Sequence, residues 1–303
     1  MSELRKLVAE ELNQAVDPRV EAVAKAIAEK HGDASRAVLF YGSCLRQKQL
    51  AGLMLDFYLI VSDYRAAYGK GWLATANRLI PPNVFYFEHD GLAAKYAVLS
   101  EADFAHECSP RAWNVSTAAR FAQPSRLVWS ANEAAAERII DIVSTAAPTL
   151  LDWTLPLLGT ADPNALWKAA FERTFGAELR AERIDRSASI VDADPERYER
   201  FGLAALRALA KQHGVGPGGE APRMRSREQA ARWWRRKQLK GKLYSFPRLG
   251  KASLTFAGGA DYIAWKINRH AATSITLKPW QRRHPLLAGL SLLPRLLKSG
   301  AVR

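Results

Sequence analysis

Residues 38–61 read VLFYGSCLRQKQLAGLMLDFYLIV, two apolar runs separated by a short polar segment. A first apolar run ends at Gly42-Ser43, and a short polar stretch follows it. A second apolar run, residues 53–61, carries one carboxylate, Asp56. Apolar runs of this length, broken by a glycine-serine turn, predict a strand, a tight turn, a short helix and a second strand.

The residues at the turn indicate an anion site beside an acid. Gly42 lets the backbone approach a triphosphate closely, and Ser43 at a helix start can offer its hydroxyl and N–H groups to phosphate oxygens. Burying Asp56 alone in an apolar strand would be costly, so we expect it at the rim of the sheet or beside a cation such as Mg²⁺. The alternative is an ordinary turn with a capping serine and an edge aspartate.

Glycine-serine, a short helix and a strand aspartate form the pattern of the DNA polymerase β-like nucleotidyltransferase superfamily, which this stretch resembles. The superfamily signature has a second acid two residues after the first, on the same face of the strand. That position is Tyr58 here. The resemblance implies an α+β fold with a mixed sheet.

Length and composition predict a globular protein of two domains. The chain has 303 residues, of which 48% are hydrophobic, enough for a sizeable core. We expect a nucleotidyltransferase domain at 1–148, a mainly helical basic domain at 149–284 and an amphipathic, membrane-associating tail at 285–303. No uncharged apolar segment reaches 18 residues, so we expect no membrane-spanning helix.

The positive charge is confined to the second half. Residues 1–150 hold 16 Lys and Arg against 17 Asp and Glu, whereas residues 151–303 hold 28 against 13. Within the second half, residues 223–251 carry 11 basic residues and one acid. Such density predicts a polyanionic partner: nucleic acid, a nucleoside triphosphate or an anionic lipid surface.

A basic helix is predicted at 227–240, with Trp233 and Trp234 among arginines and lysines. This composition suits stacking on bases and also suits a helix lying in the headgroup region of a membrane. A solvated helix with its tryptophans in the core is the third alternative. The candidate lipid- or anion-binding residues are Arg180, Arg235, Arg236, Lys240 and Lys242.

The strands predicted after the central stretch supply further candidates. Glu88 and Asp90 end an apolar strand and are candidates for the carboxylate that the position of Tyr58 lacks; a solvated hairpin turn is the alternative. Lys95 emerges from the next strand, where its ammonium could hold a β- or γ-phosphate or snorkel at a sheet edge.

Four segments resemble the mitochondrial-type phosphatidate cytidylyltransferases, the translocator assembly and maintenance family of CDP-diacylglycerol synthases. They are Tyr41-Gly42-Ser43, Leu55-Asp56-Phe57, residues 82–87 and Lys95-Tyr96. That family also has a lone aspartate after its Tyr-Gly-Ser. It tends to have Gly-Arg-Leu-His-Lys-Pro where this chain has residues 119–124, and of these Arg120 and Pro124 match.

The resemblance implies transfer of CMP from CTP to phosphatidic acid, with Mg²⁺ as cofactor, at an anionic membrane surface. Asp56 and Lys95 would be catalytic, and Asp56 would bind the metal. Its second ligand would be Glu88 or Asp90, the candidate acids named above on their position in the sequence. The implied nucleotide-binding residues are Tyr41, Gly42, Ser43, Lys95 and Arg120.

Localisation and alternative functions follow from the same features. The N-terminus has neither a signal-peptide core nor the look of a transit peptide, and two cysteines suit a reducing compartment. We therefore expect a cytoplasmic protein bound peripherally to the inner face of the membrane. The alternatives are transfer of a nucleotide to RNA or a small polar acceptor, and a non-catalytic protein that binds RNA or membranes.

Overall fold

The chain folds as an α+β protein around a mixed five-stranded sheet, as expected. A computed structural model describes residues 2–46, 50, 53–177, 186–214, 225–255, 276 and 278–283. The strands are β1 Ser35–Tyr41, β2 Leu55–Val61, β3 Asn83–His89, β4 Leu92–Ser100 and β5 Ser125–Ser130. The helices of the first half are α1 Glu3–Leu12, α2 Pro18–Lys30, α3 Ser43–Arg46, α4 Tyr64–Tyr68, α5 Gly71–Leu79, α6 Glu101–Glu107, α7 Ser116–Phe121 and α8 Glu133–Val143. Those that follow are α9 Ala146–Leu158, α10 Pro163–Phe175, α11 Arg186–Asp192, α12 Pro195–Gln212, α13 Arg227–Thr255 and α14 Pro279–Arg283.

The strand order is β3-β4-β2-β1-β5. Strands β2 and β4 run parallel, and the other three pairs are antiparallel. The parallel pair requires a crossover, which the segment from α4 through β3 provides. As a result β2, which carries Asp56, lies in the middle of the sheet, with β4 and β1 on either side.

Alternation along the strands gives the sheet two buried faces. Val38, Phe40, Phe57, Leu59 and Val98 pack on one face, where α2 supplies Val20, Val23 and Ile27. The opposite face, with Leu39, Tyr58, Ile60 and Leu99, packs against α1 and against helices α6 to α10 and α12. Because successive side chains of a strand point to opposite faces, each strand contributes side chains to both buried faces of the sheet.

Three long helices begin at an Asp-Pro pair. Asp17, Asp162 and Asp194 each precede a proline at the first helical position, and each carboxylate accepts a backbone N–H of the first turn. The side chain satisfies a donor that has no partner within the helix, and proline has a backbone angle already suited to the first turn. An Asp-Pro pair therefore marks the start of α2, α10 and α12.

The helices of the second half pack onto the same core as the sheet. One cluster of buried side chains includes Leu39 and Tyr58 of the sheet together with Leu150, Trp167 and Tyr198 of α9, α10 and α12. The boundary predicted between residues 148 and 149 falls inside α9. The predicted tail, residues 285–303, lies outside the described residues.

Helix α13 begins where the sequence predicts it but extends fifteen residues further. It packs against α9, α10 and β3. Trp234 is 3% exposed and donates its Nε1–H to the Trp153 carbonyl at 3.0 Å, while the Trp233 ring stacks on the Trp153 ring at 4.9 Å. Trp234 therefore lies in the core, as the third alternative has it, and Trp233 is half-buried against that core. Within the described part of the chain, no helix is both long and apolar enough to cross a bilayer.

Candidate active site

A row of polar side chains crosses the sheet near the start of β2. In register across four strand pairs lie Tyr86, Lys95, Asp56, Tyr41 and Ser125. Partners in register on neighbouring strands share a face of the sheet. This row therefore borders the core face that carries Leu39 and Tyr58, and it contains three of the predicted site residues.

Asp56 and Lys95 form an ion pair at the centre of the row. The Lys95 Nζ lies 3.0 Å from Asp56 Oδ1, and the two side chains are 29% and 18% exposed, the lysine first. Lys95 stands on β4, an internal strand, so the alternative of snorkelling at a sheet edge is wrong. The lysine supplies the cation that the aspartate was expected to need.

Gly42 brings the backbone against this carboxylate. Its φ is +94°, a region that residues with a Cβ rarely adopt, and a Cβ built there would lie 2.9 Å from Asp56 Oδ2. The bend and the aspartate are thus neighbours in space, as the sequence predicts. Ser43 follows at the first position of α3.

Tyr58 explains why the strand has no second acid. It is 2% exposed, and its ring lies 5.3 Å from the Tyr41 ring and 5.2 Å from the Phe121 ring. A carboxylate at this buried aromatic position would lose its hydration without a partner. The position serves packing between the sheet and α7.

The two other candidate acids lie apart from Asp56. Glu88 is on β3, two strands from Asp56 and two residues out of register, which places their Cα atoms about 12 Å apart at ordinary sheet spacing. It is exposed and accepts a hydrogen bond from Tyr86 Oη at 2.8 Å. Asp90 and Gly91 have φ of 48° and 73°, so they form the two-residue turn between β3 and β4. For Asp90, the hairpin alternative is correct.

The carboxylate that the bend offers to a metal ion is that of Asp56. In the described residues, no group of three or more His, Cys, Asp or Glu side chains converges to hold a metal. Asp56 Oδ1 is buried and has the Lys95 ammonium 3.0 Å away. Mg²⁺ is commonly held by one or two carboxylates and the phosphates of a substrate, and this site offers one.

A second polar cluster, which sequence reasoning missed, lies between α6, α7 and α13. Glu107 is 6% exposed, and burial raises the pKa of its carboxyl to about 7. The charges of Arg248, Lys237 and Arg120 oppose that rise, and the charge of Asp103 adds to it. Arg120, predicted to bind nucleotide, therefore lies within electrostatic range of Glu107. The sequence carries no local signal of this cluster because its members come from three helices.

Of the five basic residues predicted to bind an anion, four are exposed on α13 and the fifth lies outside the described residues. Arg235, Arg236, Lys240 and Lys242 are all exposed on α13, and the Lys240 Nζ lies 4.8 Å from the centre of the Trp113 ring. Two neighbours on the same helix turn inward instead. Lys237 donates to the Pro110 and Ala112 carbonyls, and Lys251 donates to the Ile80 and Pro82 carbonyls. Arg180 lies outside the described residues.

Comparison with known proteins adds little to this geometry. No protein-family model matches the chain, and no curated protein matches it. Among solved structures, it is similar to a nucleotidyltransferase-like protein from Exiguobacterium sibiricum 255-15, with 10% sequence identity over 93% of this chain and 92% of that one. The TM-score of that match is 0.29, which carries no weight for fold or function. The functional interpretation therefore rests on the bend, the aspartate and the lysine.

Proposed function

We propose that this protein is a nucleotidyltransferase that binds the phosphates of a nucleoside triphosphate at the Gly42-Ser43 bend. The observation that carries the proposal is the contact between the bend and Asp56, where only a glycine leaves room beside the carboxylate. A half-exposed glycine bend beside a carboxylate and an ammonium combines donors for phosphate with a ligand for a metal ion, which supports nucleotidyl transfer.

Each side chain has a role that its position supports. Asp56 is the residue that would hold Mg²⁺, which when bound neutralises charge on the triphosphate and orients it. Lys95 balances the charge of Asp56 in the free protein and supplies a donor to phosphate oxygens in the complex. Tyr41 borders the site from β1, in register with Asp56.

For the substrates we propose CTP and phosphatidic acid, giving CDP-diacylglycerol and pyrophosphate at the inner face of a membrane. This finer assignment rests on the four segments that resemble the phosphatidate cytidylyltransferases. The phosphate monoester of such an acceptor is largely ionised at neutral pH, so its oxygen can attack without a strong general base. A site formed by one carboxylate and one ammonium suits that chemistry.

The test is a transfer assay with each labelled nucleoside triphosphate, Mg²⁺ and vesicles that contain phosphatidic acid. Asp56→Asn removes the charge that holds the metal, so we expect at least about a hundredfold loss of lipid-soluble product. The matched control is Asp90→Asn, an acid in an exposed turn that tolerates asparagine, and it should retain full activity.

Two outcomes would change the proposal. A water-soluble nucleotide adduct would keep the chemistry and replace phosphatidic acid by a polar acceptor. Equal product from the Asp56→Asn variant and the unaltered protein would refute nucleotidyl transfer at this site.

A further inference from the structure

The outer face of α13 differs in chemistry from the face that packs inward. Ala230, Trp234, Lys237 and Gly241 follow one another at spacings of four, three and four, and the first three are buried. On the opposite side of the helix, at the same spacings, lie Arg232, Arg236, Leu239 and Leu243, all exposed. With 3.6 residues per turn, each set forms one line along the helix.

Two leucines form the C-terminal half of the outer line. Leu239 is 64% exposed and Leu243 is 71% exposed, and they are one turn apart. A single exposed leucine is common on a protein surface, whereas an adjacent pair on a helix among basic side chains forms an apolar patch with a charged border.

That border is positive on both sides. Arg235 and Lys242 flank the leucines on one side and Arg236 on the other, and all three are exposed. The only acid in the sequence of α13 is Glu228, near its beginning. The charge complement of this face is therefore an anionic surface that can also accept aliphatic side chains.

Two further exposed apolar residues, Leu79 and Trp113, contact Tyr244 at the flank of the helix. Trp113 is 57% exposed, with its ring 6.3 Å from the Tyr244 ring. Leu79 is 70% exposed, and its carbonyl accepts a hydrogen bond from Tyr244 Oη at 3.3 Å. We call Leu79, Trp113, Leu239 and Leu243, with Arg235, Arg236, Lys240 and Lys242, the α13 surface.

The residues of the α13 surface favour a bilayer over nucleic acid. Stacking on bases needs exposed aromatic rings along the binding groove. The tryptophans of α13 itself are engaged inward with Trp153, and leucines occupy its outer line. Aliphatic side chains bordered by Arg and Lys, with a tryptophan at the flank, are typical of helices that lie in the headgroup region.

We propose that the α13 surface docks the protein on an anionic lipid bilayer, with Leu239 and Leu243 inserted among the headgroups and the arginines on lipid phosphates. This deepens the proposed function, on which it rests for the role of lipid as substrate. Docking by this face presents the protein to the membrane along α13, the helix that also packs against β3 of the sheet.

The experiment is co-sedimentation of the full chain with vesicles of phosphatidylcholine alone or with added phosphatidic acid. Leu239→Gln/Leu243→Gln keeps good helix formers and removes the apolar pair, so binding to anionic vesicles should fall about tenfold. Arg235→Gln/Arg236→Gln removes two of the four basic side chains of the surface, so it should weaken binding about 10- to 30-fold and reduce its salt dependence.

Matched controls come from α12. Leu203 is 39% exposed there, and Leu203→Gln should bind vesicles as the unaltered protein does. Arg200 and Lys211 are exposed on the same helix, and Arg200→Gln/Lys211→Gln should have little effect on binding. Thermal unfolding of all variants checks that each remains folded.

The outcomes separate this inference from the proposed function. Asp56→Asn should bind vesicles normally while failing in transfer. Loss of vesicle binding in the leucine variant, together with no transfer by the unaltered protein, would support docking and refute the enzymatic proposal. Unchanged vesicle binding in both α13 variants, or binding to an RNA oligomer in preference to anionic vesicles, would overturn the docking proposal.

Discussion

Gly42 is the residue whose conformation matters most for the proposed site. Its φ of +94° and the 2.9 Å that would separate a Cβ at this position from Asp56 Oδ2 are two separate reasons for glycine. Gly32 shares the first reason, with φ of +53°, but a Cβ there meets nothing within 4 Å. A substitution at Gly32 therefore tests the cost of backbone strain alone, whereas a substitution at Gly42 adds the clash with the Asp56 carboxylate.

We expect Gly32→Ala to cost about 1 kcal/mol of unfolding free energy, and Gly42→Ala to cost about 2–3 kcal/mol because the carboxylate must also move. Gly42→Ala should abolish transfer, whereas Gly32→Ala should retain it. Urea unfolding and the transfer assay measure the two effects. Equal stability and equal activity of the two variants would show that the bend does not need its glycine.

The raised pKa of Glu107 makes the unfolding free energy of the protein depend on pH. Burial raises its pKa to about 7 from a usual value near 4.5, so the folded protein holds this proton more tightly than the unfolded chain. A raised pKa stabilises the fold below the unfolded value, and that contribution disappears as the pH rises through the folded value. Its size is about 3 kcal/mol for a shift of this order.

We therefore expect the stability of the unaltered protein to fall relative to Glu107→Gln by about 3 kcal/mol between pH 4.5 and pH 7.5, because glutamine cannot ionise. Urea unfolding of both proteins across this range measures the difference. A difference that stays constant with pH would mean that the carboxyl is not held protonated by the fold.

For single residues, the sequence indicates which residues form the candidate site better than it indicates which residues they contact. Gly42 and Asp56 were predicted to lie together because a local strand-turn-strand pattern connects them. The pairing of Asp56 with Lys95 required knowing that β4 lies beside β2, which is a non-local property of the sheet. The same holds for Tyr58, whose aromatic partner comes from α7.

Among the helices, α1 and α12 are joined by two ion pairs of very different burial. Glu11 and Arg197 are 12% and 8% exposed, with a second contact of 2.8 Å from Arg197 Nη2 to Glu11 Oε1. Glu3 and Arg207 are 54% and 66% exposed and lie 2.6 Å apart. The exposed ion pair between α1 and α12 can therefore serve as the control for a substitution in the buried one.

Glu11→Gln leaves the Arg197 guanidinium buried without a carboxylate and should cost about 3–5 kcal/mol of unfolding free energy. Glu3→Gln should cost less than about 1 kcal/mol because water screens the exposed pair. Chemical denaturation of the two variants compares them directly. Similar losses from both would show that burial of the pair is not what joins these helices.

Among helices and strands, the sequence indicates long helices with a clear N-cap well and short strands poorly. The Asp-Pro pairs that begin α2, α10 and α12 are visible in the sequence. Strand β5, Ser125–Ser130, was not predicted, since six residues with no polar alternation resemble a loop. The basic composition of α13 predicted the helix, but the direction of its tryptophans depended on Trp153 in α9.

At the scale of the molecule, the positive charge of the second half has two uses. Lys237 and Lys251 donate to backbone carbonyls of the first half, and burial lowers the pKa of their amines to about 8 and about 7. The arginines of the outer line remain exposed. The charge count of the sequence could not separate these sets, because only the packing of α13 decides which side chains turn inward.

The sheet and the later helices also share one hydrophobic core, so both contribute to the position of the site residues. Tyr58, whose ring packs on Tyr41 of the site row, belongs to the same buried cluster as Trp167 and Tyr198 of the second half. The geometry around Asp56 therefore depends on helices that follow residue 148 as well as on the strands that precede it. A shared core of this kind keeps the bend and the carboxylate in a fixed arrangement.

The most direct measurement is a calorimetric titration of the full chain with CTP in the presence of Mg²⁺, compared with Asp56→Asn and Asp90→Asn. We predict saturable binding to the unaltered protein and to Asp90→Asn, and loss of the Mg²⁺-dependent part of that binding in Asp56→Asn. Binding of the same strength to Asp56→Asn, or no binding of any nucleoside triphosphate to the unaltered protein, would contradict a nucleotidyl site at Gly42 and Asp56.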